Sequence, residues 1–372
     1  MVWQMKKWSE VVDIISGKNQ KAVANPEGKY PIYGSGGIMG YADDYLCEAG
    51  TTIVGRKGTI NNPIFVNARF WNVDTAFGIS PKAGLMPKYL YYFCRHFNFK
   101  ELDKSTTIPS LAKRDLLAIE MPVPSMAEQE RIVARIEELF SQLDTGVETL
   151  QKTKQQLAVY RQAVLKDVFD SADDCEKGNI QSVCSNVVDC PHSTPKWTDD
   201  GMICLRTTNF KRGYLDLSEK NYVCSDTFDK RNARLVPRSG DVLYSREGAI
   251  LGIACIIPQN LSVCLGQRMM LLRTNEKMLG RFLMHYLNSP KVTSFVATKI
   301  GGSASPHVNV GDIKAFVVPI PTIAEQQTML EQIESRLSVC DSIESSVDTA
   351  LQQAEAMRQS ILKMAFEGRL NR

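Results

Sequence analysis

Between residues 125 and 169, apolar side chains recur at steps of three and four: Ile132, Ile136, Leu139, Leu143, Val147, Leu150, Leu157, Tyr160, Val164 and Val168, with Lys154 interrupting. The same spacing returns between 322 and 366 at Met329, Ile333, Leu337, Cys340, Ile343, Val347, Leu351, Ala354, Met357 and Ile361. A stripe of this period marks one face of a helix, and held for about six heptads it predicts a coiled-coil seam. Pro122, Pro124, Pro319 and Pro321 cannot lie inside a helix, so each run starts after them. Ser125 with Glu128, and Thr322 with Glu325, read as capping boxes. Neither run contains a proline, Gly146 is the one glycine of the first, and Gly368 suits a left-handed cap after the second. A helix of about 44 residues is about 66 Å long. Neither could bury its stripe alone. Antiparallel pairing within the chain is expected, with self-association of two chains as the alternative.

The two runs belong to a longer duplication, Thr106–Ser171 against Ser303–Gly368, aligned without a gap. Pro109 matches Pro306, Asp115 matches Asp312, and Asp144 matches Asp341. Arg161-Gln162-x-x-Leu165-Lys166 matches Arg358-Gln359-x-x-Leu362-Lys363. The period is far too long for a solenoid. The preceding segments echo one another more faintly. Gly50-Thr51-Thr52-Ile53-Val54-Gly55-Arg56-Lys57-Gly58 resembles Gly240-Asp241-Val242-Leu243-Tyr244-Ser245-Arg246-Glu247-Gly248, each reading as a turn, a strand and a Gly-bounded loop. A helix follows each, over 87–97 and 278–288. The expected fold class is α+β: two similar mixed α/β globular domains (1–124 and 178–321) separated by two long antiparallel coiled-coil helices (125–171 and 322–368), a pseudo-two-fold duplication.

The net charge of +3 over 372 residues says little until it is divided. Residues 1–120 carry +4 and residues 178–317 carry +6, whereas 121–177 carry −4 and 318–372 carry −3. Basic globular segments beside acidic helices suit modules that touch a polyanion, joined by elements that touch protein. No apolar run reaches the ~18 residues that span a bilayer, and the start lacks a signal-peptide core, so a cytoplasmic protein is expected. The ten cysteines include no Cys-x-x-Cys pair. Free thiols in a reducing compartment are expected, and Cys184, Cys190 and His192 fit no closed zinc spacing. The chain contains no phosphate-binding loop, dinucleotide fingerprint or nucleophile elbow, and His96, His192, His285 and His307 are scattered, so no catalytic residues and no metal site are expected.

What remains is a set of polar, basic, glycine-rich loops. In the first half the candidate DNA contacts are Lys18, Lys21, Tyr33, Ser35, Arg56, Lys57, Lys104, Thr106 and Thr107. In the second they are Lys196, Arg206, Asn209, Lys211, Arg212, Ser245, Arg246, Gln267, Arg268 and Ser303. Arg reads guanine bidentately, while Asn and Gln read adenine. Lys, Ser, Thr and loop N–H groups hold phosphates.

Two diverged globular halves, each followed by Pro-x-Pro-x-x-Ala-Glu-Gln and a long helix ending Arg-Gln-x-x-Leu-Lys, resemble the specificity subunit of type I restriction-modification systems. The resemblance covers essentially the whole chain. It implies two target recognition domains, each reading one half of a split site in double-stranded DNA. It implies that the paired helices fix the gap and dock two methyltransferase subunits, with restriction/motor subunits joining for cleavage and no membrane partner. S-adenosylmethionine, ATP and Mg would be bound by those partners, with no cofactor in this chain. One departure concerns the family's glycine pair, which stands as Gly301-Gly302 in the second half but as Lys104-Ser105 in the first. The alternatives are a solitary bivalent DNA-binding or scaffold protein without methyltransferase partners, and a coiled-coil adaptor that binds protein. Salt-sensitive DNA binding separates the adaptor from the others.

Overall fold

The computed structural model describes residues 3–299 and 306–370; Gly301, Gly302 and Ser303 lie outside them. The chain forms two compact units, residues 1–151 with 348–372, and residues 152–347. Each contains one globular module and part of each long helix.

The module of the first unit is built on a four-stranded antiparallel sheet in the order Val12–Ser16, Ala76–Pro81, Thr51–Gly55, Ile64–Val66. The strand Thr51–Gly55 is buried throughout, as expected of an interior strand carrying Thr-Thr-Ile-Val. A second sheet of three strands pairs Tyr30–Gly34 with Gly37–Ala42 antiparallel and with Trp71–Asn72 parallel. The helix Pro87–His96 covers the first sheet, placing Tyr89, Leu90 and Phe93 in a core with Trp8, Ile79 and Phe99.

The second unit repeats that plan. Its main sheet runs Cys184–Asp189, Met269–Thr274, Val242–Ser245, Ala254–Ile256, the same order with the same antiparallel pairings. Its second sheet again includes a parallel pair, Met202–Leu205 with Cys264–Leu265. The helix Gly280–Leu287 sits where Pro87–His96 sits in the first unit, burying Phe282, Leu283 and Leu287.

The long helices are continuous over Met126–Asp170 and Ile323–Phe366. At the second start both halves of the capping box form: Thr322 N–H donates to Glu325 at 2.8 Å and Glu325 N–H to Thr322 Oγ1 at 3.3 Å. At the first, Glu128 N–H donates to Ser125 Oγ at 3.4 Å, but the Glu128 carboxylate is taken by Arg131. Gly368 has φ +71°, and Arg369 N–H donates to the Met364 carbonyl, closing the second helix.

Within each unit, segments of the two helices lie side by side. In the second unit Arg161 pairs with Asp341 at 2.7 Å and Asp167 with Arg336 at 2.6 Å, so numbers rise along one helix as they fall along the other. In the first unit Arg358 pairs with Asp144. The duplication relates Arg161 to Arg358 and Asp341 to Asp144, so one ion pair occurs twice. Of the seam candidates, Ile132, Ile136, Leu157, Val164, Met329, Ile333, Val347 and Ile361 are buried, and Leu139, Leu143, Leu150, Leu337 and Leu351 are half-buried. Tyr160, Ile343 and Met357 are exposed, although the Tyr160 ring takes the Arg336 guanidinium of the other helix at 5.8 Å. Toward the globular modules a second apolar face takes over, with Val133, Phe140 and Leu362 in the first unit and Leu165, Phe169 and Leu330 in the second. A straight helix drifts against a strict heptad. Here the ends also pack on a sheet-covering helix, which widens the stripe.

Candidate nucleic-acid interface

Each motif glutamine of Ala-Glu-Gln is buried and fully used. Gln129 accepts from Met86 N–H at 2.8 Å and donates to the carbonyls of Gly84 and Pro124, each at 2.9 Å. Gln326 accepts from Leu279 N–H and donates to Lys277 and Pro321, all at 2.8–2.9 Å. An amide is the one side chain that satisfies two carbonyls and one N–H at once. Each long helix is thereby locked to its module, and Lys88–Glu137 and Arg281–Glu334 repeat as ion pairs across the same junction.

A second duplicated joint positions the polar loops. Gly58 and Gly248 have φ +80° and +90°. Each donates its N–H to a proline carbonyl, Pro109 at 2.9 Å and Pro306 at 3.0 Å. Leu111 and Val308 return N–H groups to the carbonyls of Arg56 and Arg246. The matched prolines therefore anchor the loop that follows each central strand.

In the first unit, the turn Asn72–Thr75 gathers the candidates. Lys18 N–H donates to Asn72, Val73 N–H to the Tyr33 carbonyl, and the N–H groups of Arg56 and Lys57 to Thr75. Buried Asn72 holds the turn through the carbonyls of Ile15 and Ala76. Lys18, Lys57 and Lys104 are exposed, whereas Tyr33, Ser35 and Arg56 are half-buried. Arg56 and Lys104 line a cleft of about 600 Å³ with Lys113 and Asp115. Lys104 donates to Asp115 at 2.9 Å, and this bond holds the Asp115 carboxyl below its ordinary range. Thr106 and Thr107 are exposed on a loop whose ends are tied by Asp103, which accepts from Ser105 and Ser110. Lys21 is exposed in a turn whose Asn19 side chain accepts its N–H.

In the second unit, the parallel strands end together on Arg206 and on Gly266-Gln267-Arg268. A Cβ on Gly266 would lie 2.1 Å from the Leu205 carbonyl oxygen, so only glycine fits. Arg206 is exposed and its guanidinium lies 5.5 Å from the Trp197 ring centroid, while Arg268 is exposed with φ +67°. Lys196 borders a cavity of about 390 Å³ with Thr194 and Lys230. Exposed Lys211 lies 3.8 Å from Asp216.

Four candidates are placed differently from the expectation of an accessible recognition group. Asn209 is buried, with its side chain bonded to the Arg206 N–H and to the carbonyls of Asp216 and Glu219. Ser245 is buried against Ile253. Arg246 is buried and forks onto Asp189 at 2.9 and 3.3 Å. These three shape the loops and offer no side-chain group to a ligand. Arg212 lies apart from the loop set, donating to the Asn288 carbonyl and lining a cleft with Arg161 and His285.

One positioning residue, Arg231, escaped sequence reasoning. It is buried, and its guanidinium donates to four carbonyls: Leu265 at 2.5 Å, Gly266 at 2.7 Å, and Ser193 and Pro191 at 3.1 Å. It thus ties the loop bearing Gln267 and Arg268 to the loop bearing Lys196. Its signal was weak, one arginine in a short, largely polar helix, Ser225–Asn232. Cys184 and Cys190 fall in separate cores, so they do not converge with His192. Among the described residues no cluster of His, Cys, Asp or Glu could hold a metal ion, and no helix is long and apolar enough to cross a membrane.

The comparisons with known proteins bear on this arrangement. The family model described as "Type I restriction modification DNA specificity domain" matches the chain twice, over residues 2–157 and 168–353. The specificity subunit of the type I restriction enzyme EcoBI from Escherichia coli is 26% identical over 293 residues, 72% of this chain and 61% of the subunit, so the match spans less than two thirds of that relative. The EcoDI specificity subunit, also from Escherichia coli, is 20% identical over 99% of this chain and 88% of its own length. A solved chain from work on complex assembly and conformational transition of the type I R-M system has a TM-score of 0.74 at 17% identity, covering 99% of this chain and 98% of its own, which is a likeness of fold. With both halves matched by one model and both built on the same sheet, the chain belongs to the type I restriction-modification DNA specificity family.

Proposed function

We propose that this chain is the sequence-reading, non-catalytic subunit of a type I restriction-modification complex. Residues 1–124 and 178–321 act as target recognition domains, each reading one half of a bipartite DNA site. The helices 125–171 and 322–368 set the gap between the half-sites and dock two methyltransferase subunits, with motor-nuclease subunits joining for cleavage. Those partners bind S-adenosylmethionine, ATP and Mg, and the assembly works in the cytoplasm. The observation that carries the reading is the pairing of a duplicated scaffold with unlike loops. Sheet order, glutamine lock and proline joint recur in both units, whereas the loop side chains differ, Lys18, Arg56 and Lys57 in one against Arg206, Gln267 and Arg268 in the other. A shared scaffold under different surface chemistry suits two readers of two sequences. DNA repeats every ~34 Å, so two readers on one side of the duplex leave interior base pairs unread.

The test is co-expression with the neighbouring methyltransferase, followed by genome-wide mapping of methylated adenines. The expected result is a split motif with a fixed unread gap. Exchanging residues 1–124 for the same module of a relative should change one half of the motif and leave the other and the gap intact. A contiguous motif, or a change in both halves, would overturn the reading.

A further inference from the structure

The hairpin formed by Tyr30–Gly34 and Gly37–Ala42 presents apolar side chains that the fold does not use. Ile38 is 58% exposed, Met39 64% and Tyr41 46%. Their exposure has a local cause. The register passes from Ile32↔Gly40 to Tyr33↔Ile38, leaving Met39 as an extra residue in a bulge. A bulge breaks the alternation of faces and re-aims a side chain. Two neighbouring apolar residues thus both face solvent, where regular pairing would turn one inward.

The base of the hairpin is firmly held. Ile32 and Ala42 are buried with Trp71 and Val73, and Tyr33 packs edge-on against Phe70 at 5.5 Å between ring centroids. The tip is slender, Gly34-Ser35-Gly36-Gly37, with open space around Gly36 and Gly37. Its surroundings are those of the candidate interface. A Cβ on Gly58 would lie 3.8 Å from Ser35 Oγ, which puts the tip beside the loop of Arg56 and Lys57, and the turn after the Trp71–Asn72 strand holds both Tyr33 and Lys18. No carboxylate occurs from Gly28 to Ala42, and Lys29 is the one charge. A two-stranded ribbon fits the major groove of B-DNA, whose distinctive apolar feature is the thymine methyl.

We propose that this hairpin enters the major groove of the half-site taken by residues 1–124 and that Ile38 and Met39 contact thymine methyl groups there. This inference rests on the function proposed above. Among the described residues of the second unit, the matching strand Met202–Leu205 is flanked by Tyr222–Val223 and Cys264–Leu265, neither joined to it by a tight turn, and the one tight hairpin nearby, Phe210–Lys211 with Tyr214–Leu215, does not pair with that strand. The contact therefore belongs to one half-site.

The experiment uses the full chain assembled with its methyltransferase subunits. Adenine-methylation motifs are compared for the natural chain and the double variant Ile38→Ser, Met39→Ser. The expected result is loss of thymine preference at one or two positions of one half, with the other half and the gap unchanged. In a second arm, duplexes carry deoxyuridine for thymidine at each position of that half-site. Removing one contacted methyl should weaken binding by the natural complex about fourfold, the worth of one buried CH2-sized group, and leave the variant indifferent. The salt dependence of binding should not change in the variant, since no phosphate contact is lost. A half-site without thymine, a natural complex indifferent to every deoxyuridine, or a variant with an unchanged motif would overturn the inference. Absence of any split motif from the natural complex would instead overturn the reading on which it rests.

Discussion

Each unit must hold the turn after its short parallel strand, because that turn carries the polar loops, and the two units solve the problem with different chemistry. In the first, buried Asn72 is neutral and spans two carbonyls with one amide. In the second, the turn after Leu265 is held by Arg231, a buried guanidinium ringed by four carbonyls. A cation reaches farther than an amide and joins two loops, yet burying it is tolerable only while its donors are all met. The four-stranded sheets and the helix junctions barely differ between the units. Divergence has therefore run through the loop supports and exposed side chains, while sheet order and helix junctions stayed put.

The sharpest way to break that comparison is Arg231→Met. Four carbonyls lose their donor at once, and at 1–3 kcal/mol for each buried group left unpaired the cost is about 4 kcal/mol after partial rehydration. Urea unfolding should report it, and hydrogen exchange should rise at Gly266 while Val73 stays protected. In the assembled complex, the half-site proposed for residues 178–321 should degrade and the other hold. Equal degradation of both halves would mean that the supports are not unit-specific.

The glutamine locks test the shared side of the comparison. Gln129→Leu and Gln326→Leu each strand one N–H and two carbonyls, costing about 3 kcal/mol. The two losses should agree within about 0.5 kcal/mol, since the bonding is the same. A large difference in denaturation midpoints would show that equivalent geometry hides unequal packing.

Acid should separate the units again. Burial, aided by nearby Arg281, lowers the His285 imidazole from its usual value to about 4. Folding thus favours the neutral ring. The stabilising contribution is fully present above pH ~6.5 and is lost as pH falls from there toward about 4, a change of order 3 kcal/mol. His285→Gln should flatten that part of the stability profile. His96 in the first unit is lowered in the same direction, by its burial first and Lys363 second. A profile unaffected by the His285 change would assign the acid sensitivity elsewhere.

How much of this was legible beforehand follows from range. Helix starts, the cap at Gly368 and the duplicated stripe depend on neighbours a few residues away, and these the sequence displays. The placement of Arg246 depends on Asp189, 57 residues earlier, and that of Asn209 on carbonyls delivered by a later turn. Read alone, both residues look like free hydrogen-bonding groups in a polar loop. Gln129 and Gln326 were visible as a motif, but their burial was not, because it requires the carbonyls of Gly84 and Lys277 from another segment. Tyr160, Ile343 and Met357 satisfied the period yet are exposed.

The smallest effect probes the repeated ion pair between helix segments. Arg161 meets both Asp341 and Glu344, whereas Arg358 meets Asp144, lies 3.9 Å from Glu355 of its own helix and sits 5.6 Å over the Phe140 ring. Both aspartates are largely exposed, which limits each pair to about 0.5 kcal/mol and makes it screenable by salt. Arg161→Ala and Arg358→Ala should therefore cost similar small amounts at low salt. At 1 M salt they should diverge. The Arg161 loss should nearly vanish, because it is mostly charge, while part of the Arg358 loss should persist, because stacking on Phe140 is not screened. Double-mutant cycles with Asp341→Ala and Asp144→Ala at both salts separate the two contributions. If the residual losses match at high salt, the ring contributes nothing, and the duplicated pairs are equal in energy as well as in position.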